Sequence, residues 1–164
     1  MECDEYHMEP YVCNGALVRG AIPGDARALL ANMRKKDIEE CKAYGMSPGR
    51  ALNIAIRDSL YAKSVWLNGK IIAMIGLSGP IISDTGCPWM LTGNGIEKVP
   101  VTFVKVAIKE LDEMNRHKPI LSNYVLADYH EAVKFLSVVG FSVFPPKKIG
   151  KCGALFRQVV RTGG

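Results

Sequence analysis

No run of about 18 uninterrupted apolar residues occurs in the chain, which excludes a membrane-spanning helix. No Cys-x-x-Cys pair occurs either. The five cysteines, Cys3, Cys13, Cys41, Cys87 and Cys152, are odd in number, and His7, His117 and His130 are scattered. That pattern holds no zinc ligand set and no disulfide framework, so no metal is expected and the thiols are read as reduced and mostly buried. Lysine and arginine are missing from the first 14 residues, where Glu2, Asp4, Glu5 and Glu9 stand. This reverses the basic start of a signal peptide and sets the expectation of a cytoplasmic protein. Acidic residues are missing after Glu131, while Lys134, Lys147, Lys148, Lys151, Arg157 and Arg161 carry more positive charge than the whole chain's net +5. Such a basic end attracts phosphate, but without interleaved aromatics or a known motif it gives no footing for nucleic-acid binding.

What is present is ordinary for a folded protein. The 164 residues are 48% hydrophobic and 23% charged, enough for one domain with its own core. Residues 1–14 are acidic and lack a period, so they read as an arm before a single domain over 15–164. Ala16–Ala21 reads as a strand, and Asp25 as the cap of one helix running to Gly45 with Leu30, Met33, Cys41 and Tyr44 on its apolar face. Ser47-Pro48 has the form of an N-cap followed by proline at the first helical position. Ser64–Leu67 and Lys70–Ser78 flank Asn68-Gly69, a hairpin signal, and Cys87–Thr92 follows as a third antiparallel strand. A helix starts near Pro100, a strand buried on both sides covers Ile120–Ala127, and Asp128 with Glu131 predicts a capping box for a helix over Tyr129–Val139. Phe141–Phe144 and Ala154–Arg161 are the last strands. The order is β-α-α-β-β-β-α-β-α-β-β, a mixed α/β domain.

Three stretches carry a family resemblance. Leu17-Val-Arg-Gly-Ala-Ile-Pro-Gly-Asp-Ala26, the meander of residues 64–92 with its following loop and helix, and Ala132-Val-Lys-Phe-Leu-Ser-Val-Val-Gly-Phe141 resemble the GNAT superfamily of acyl-CoA-dependent N-acyltransferases. More narrowly, Trp89-Met-Leu-Thr92 and Asn123-Tyr-Val125 are similar to strands of the GNAT-like proteins of short-tailed (podoviral) phages, some of them internal virion proteins. The resemblance implies a mostly antiparallel seven-stranded sheet flanked by about four helices, with two central strands splayed around the pantetheine arm of acetyl-CoA or another acyl-CoA. It implies that Leu91, Thr92, Gly93, Asn94, Gly95 and Lys98 hold the cofactor, at the turn before a helix N-terminus. Tyr124, Tyr129 and Glu131 then stand as the catalytic candidates, supplying a proton donor and a base.

Several positions depart from the family pattern. Thr92–Pro100 lacks the Arg/Gln-x-x-Gly-x-Gly/Ala spacing, Glu97 repels phosphate and Pro100 removes an amide. Leu136 stands where the family commonly has the tyrosine acid, Tyr129 where it has an asparagine, and Cys87–Thr92 offers no glutamate base. Cys87 has no histidine at a recognisable spacing and reads as a buried thiol, and Trp66 and Trp89 read as core. Two functions follow: an acyltransferase with degenerate motifs, transferring an acyl group to an amine of unknown identity, or a catalytically inactive GNAT-fold domain with a virion or host-protein partner. Both place the protein in a host cytoplasm or a virion.

Overall fold

The computed structural model describes residues 6–163, so part of the expected arm lies outside the described residues. The rest of it is no free arm. β1 (Tyr11–Cys13) turns at Asn14-Gly15, both at positive φ, and pairs with β2 (Ala16–Gly20), with Tyr11 opposite Val18. Three helices follow: α1 (Asp25–Leu30), α2 (Lys35–Tyr44) and α3 (Pro48–Arg57). A meander then runs through β3 (Ser59–Leu67), β4 (Lys70–Ser78) and β5 (Thr85–Thr92). After a 3-10 turn at Ile96–Lys98 come α4 (Pro100–His117), β6 (Ile120–Leu126), α5 (His130–Val138), β7 (Ser142–Val143), β8 (Lys147–Lys148) and β9 (Leu155–Thr162). The sheet order is β1-β2-β3-β4-β5-β6-β9-β7, with β8 also on β9.

Among the described residues the mixed α/β architecture is the expected one, with nine strands instead of seven and five α-helices instead of four. β1 is added at one edge, and the stretch after Gly140 is broken by Pro145-Pro146 into two short strands on the same partner. The first helix splits because residues 31–34 serve the sheet instead. Met33 bridges Gly93, and the Arg34 N–H donates to the Thr92 carbonyl. Asp25 is not a cap. Gly24 holds the N-cap position, and the Asp25 carboxylate takes the Ile22 amide, the Arg19 guanidinium and the Ser64 hydroxyl. Ser47 does cap α3, accepting the Arg50 N–H at 3.3 Å, and Asn68-Gly69 forms its hairpin with both residues at positive φ. β6 alternates between buried and exposed positions instead of being buried on both sides, with Ile120 and Tyr124 outward.

Two apolar layers sandwich the sheet. On one face Leu29, Met33, Cys41 and Leu52 from the α1–α3 region meet Ile71, Met74 and Leu91. On the other, Val106, Leu111 and Met114 of α4 meet Ile72, Ile75, Leu121 and Val125. Trp89 lies flat against Gly76, where a Cβ would come within 2.5 Å of its ring, and donates its indole N–H to the Ser59 hydroxyl at 2.7 Å. Trp89 and Trp66 are therefore packed against the core, as expected.

One ion pair is inside the second layer. Lys63 on β3 and Glu110 on α4 meet at 2.8 Å with both side chains 2% exposed. The Tyr11 hydroxyl adds a hydrogen bond to the same carboxylate at 2.9 Å. The ammonium also lies over the Tyr11 and Tyr61 rings. Lys63→Met removes the countercharge of the buried Glu110 carboxyl, and is expected to cost about 3–5 kcal/mol in urea unfolding, whereas Lys63→Met with Glu110→Leu recovers most of that loss.

Candidate active site

Every strand neighbour in the sheet is antiparallel except β5 and β6, which run parallel and meet only at Thr85–Ile120 and Gly86–Leu121. Pro88 explains why the ladder stops: it has no N–H to offer β6. Asn123 fills the next rung with its side chain, its Nδ2 donating to the Pro88 carbonyl at 2.6 Å and its Oδ1 accepting the Tyr124 N–H at 2.7 Å. Beyond it the strands diverge. Alternation of the β4–β5 ladder points the backbone groups of Met90 the same way as those of Pro88 and Thr92, into the gap.

The wide end of the gap is spanned by α2. Asp37 accepts both the backbone N–H and the hydroxyl of Thr92 on β5, while Glu40, one turn on, accepts the Leu126 N–H of β6 at 2.9 Å. Each carboxylate thus satisfies a donor that strand pairing would have used. Tyr129, buried just before α5, lines the same cleft as Asp37. Arg34 meets Glu131 at 2.9 Å and lies over the Tyr129 ring. The cleft so formed has a volume of about 280 Å³. Among the described residues its rim carries Asp37, Glu40, Glu97 and Glu131 against one cation, Arg34, and its interior is apolar.

Burial sets the protonation of this rim. It raises the Asp37 carboxyl and, with the Asp37 charge close by, pushes Glu40 up to about 7. Burial and the Asp37 charge raise the Tyr129 phenol well above its ordinary value, so its hydroxyl keeps its proton. Glu97 is the exception. Its own backbone N–H, then that of Gly95, hold its carboxyl below the ordinary range.

The turn expected to hold phosphate is present but largely self-satisfied. The Gly93 and Asn94 amides donate to Ile72 and Asn32 carbonyls at 2.8 Å, and the Gly95 amide donates to the Glu97 carboxylate at 3.0 Å. Of the first turn of α4, Pro100 has no N–H and that of Phe103 goes to Val99, leaving Val101 and Thr102 as donors. Lys98 is exposed beside them. Glu97 thus acts as a stand-in anion: the Gly95 cradle accepts negative charge, and the splayed strand offers Met90 to an amide-bearing arm. These residues fit an acyl-CoA, on condition that Glu97 vacates the cradle.

The sequence-derived candidates are therefore partly assembled. Thr92, Tyr124, Tyr129 and Glu131 line the cleft. Leu91 instead faces the α1–α3 layer, and Tyr124 is half outward. Glu131 caps nothing: Tyr129 is the N-cap residue, without a side-chain bond, and the Glu131 carboxylate reaches Arg34. Sequence reasoning missed Arg34, Asp37 and Glu40. A signal existed, because Asp37 falls between Met33 and Cys41 on the apolar face of its helix, where an acidic residue needs a buried partner.

The architecture matches solved acetyltransferases. An acetyltransferase of the GNAT family from Streptococcus pneumoniae is 17% identical, with 91% of this chain and 99% of that chain covered and a TM-score of 0.65. A spermidine N-acetyltransferase from Vibrio cholerae, in complex with CoA and spermine, is 12% identical over 90% and 95% of the two chains, with a TM-score of 0.69. A ribosomal-protein-alanine N-acetyltransferase from Brucella melitensis is 14% identical over 89% and 99%, with a TM-score of 0.63. At such identities the likeness is one of fold. In sequence, no family model and no curated protein matches the chain.

Because the folded carboxyl of Glu40 titrates near 7, above its unfolded value of about 4.3, the native state keeps the proton longer and stability falls as pH rises between those values. Glu40→Gln retains the acceptor for Leu126 and removes the charge. Unfolding by urea is expected to find it about 1–2 kcal/mol more stable than wild type at pH 8, after allowing for partial solvation, with the difference gone near pH 4.5.

Proposed function

We propose that this GNAT-fold chain is an acyl-CoA-dependent N-acyltransferase acting on a cationic amine. The observation that carries the reading is the β5–β6 gap, lined by free strand groups on one side and by carboxylates from α2 on the other. Met90 offers a backbone N–H and C=O to the amides of a pantetheine arm. Gly95, Val101, Thr102 and Lys98 supply donors and charge for its phosphates. Bound there, the thioester supplies an activated acyl carbon and a thiolate leaving group.

The acidic rim favours an ammonium over an anion as the second substrate. Glu40, with a carboxyl that titrates near neutrality, takes the proton that the ammonium must lose before its nitrogen becomes nucleophilic. Tyr129 keeps its proton on the phenolic oxygen, and its place in the cleft assigns it the proton that the departing thiolate takes. Arg34 orients Glu131 and Tyr129. Positioning does the larger share of the work, since a thioester is already activated. That offsets the leucine at position 136. The Vibrio structure is a complex with CoA and spermine, an amine of the charge this rim suits. The narrower resemblance to short-tailed phage proteins, with a host-cytoplasmic or virion-borne location and a virion or host-protein partner, rests on the strands around Trp89 and Asn123.

Isothermal titration with free CoA and acetyl-CoA at two salt concentrations tests the reading. Micromolar binding that survives about 0.15 M salt is expected, and Glu97→Gln is expected to tighten it roughly fivefold by removing the carboxylate charge that competes with the phosphates for the Gly95 cradle. A folded protein that binds neither ligand, as wild type or as Glu97→Gln, is an interaction protein on an acyltransferase fold.

A further inference from the structure

The cleft does not end where the strands stop diverging. It continues under α4 into the second apolar layer, where its walls are Ile75, Leu111, Met114, Phe141 and Val159. All five are less than 10% exposed. Phe103 of α4 and Phe135 of α5 stack along its wall with centroids 4.7 Å apart. Leu136 lines it too, at the position where the resemblance calls for a hydroxyl.

The inner walls provide apolar side chains and no charged group, while the charged and polar lining residues, among them Asp37, Glu40, Thr92, Asn123 and Tyr129, stand at the outer end. An amide-bearing arm placed in the inner part would leave its polar groups unpaired, so the arm belongs in the outer part beside Met90. An apolar space of this kind stays dry and takes an apolar guest; a cavity of about 150 Å³ holds a benzene ring. The whole cleft measures about 280 Å³, and an acetyl group would leave its inner part empty.

We infer that the inner cavity is a subsite for an aliphatic acyl chain, and that the favoured donor carries about six to eight carbons instead of two. This rests on the acyltransferase reading, and the test separates the two. Binding of free CoA, acetyl-CoA, butyryl-CoA, hexanoyl-CoA and octanoyl-CoA to the full chain is measured by titration calorimetry. Affinity is expected to rise on the order of threefold for each methylene buried, up to the limit of the cavity. Ala107→Leu and Leu136→Phe, which both fill the space, are expected to return octanoyl-CoA to the affinity of acetyl-CoA while free CoA is unchanged. If Ala107→Leu fails to fold, Leu136→Phe and the wild-type series decide. Binding of CoA with no rise along the series overturns the subsite alone. No binding of free CoA overturns the acyltransferase reading, and the subsite with it.

Discussion

A missing rung between two strands governs this molecule. Pro88 cannot donate toward β6, so β5 and β6 share two residue pairs and then part. Backbone groups left in such a gap must be satisfied or they destabilise the fold. The chain satisfies them with side chains: Asn123 at the narrow end, Asp37 and Glu40 at the wide end. The cleft, its charge and the placement of α2 all follow from that substitution of side chains for a ladder.

The substitution carries an electrostatic cost. Two carboxylates one helical turn apart are partly desolvated near Glu131 and Glu97, with Arg34 as the nearby cation on the same rim. Burial raises the Asp37 and Glu40 carboxyls above their ordinary range. Glu97 is held differently, because the amides around it favour its charge. The rim therefore combines buried carboxyls on the α2 side with an anion-accepting cradle on the α4 side.

Much of the fold was legible from local signals. Asn68-Gly69, Ser47-Pro48 and Pro100 mark turns and helix starts whose chemistry acts within a few residues, and all three stand where the sequence places them. Long-range contacts escaped it. The helix over 25–44 breaks because Met33 and Arg34 are claimed by Gly93 and Thr92, about 60 residues away. Asp25 and Glu131 carry the right residue types for capping yet bond partners elsewhere, Arg19 with Ser64 and Arg34 respectively. In the cleft, Thr92 and Tyr129 are lining residues that the family resemblance also names. Asp37 and Glu40 have meaning only once α2 is laid across the two strand ends. Tyr11 was hidden because a three-residue strand has too little pattern to show a period.

The two-rung seam also divides the chain in the order of its assembly. β1 to β5 pair with one another along the sequence, and β6 to β9 form a second antiparallel block. Each block gains its rungs without the other, and α4 carries the chain between them. Spreading the seam breaks few backbone bonds and exposes little of either block's own ladder. The seam between the two blocks and the cleft coincide, so the cleft is walled by two ladders that are each complete without it.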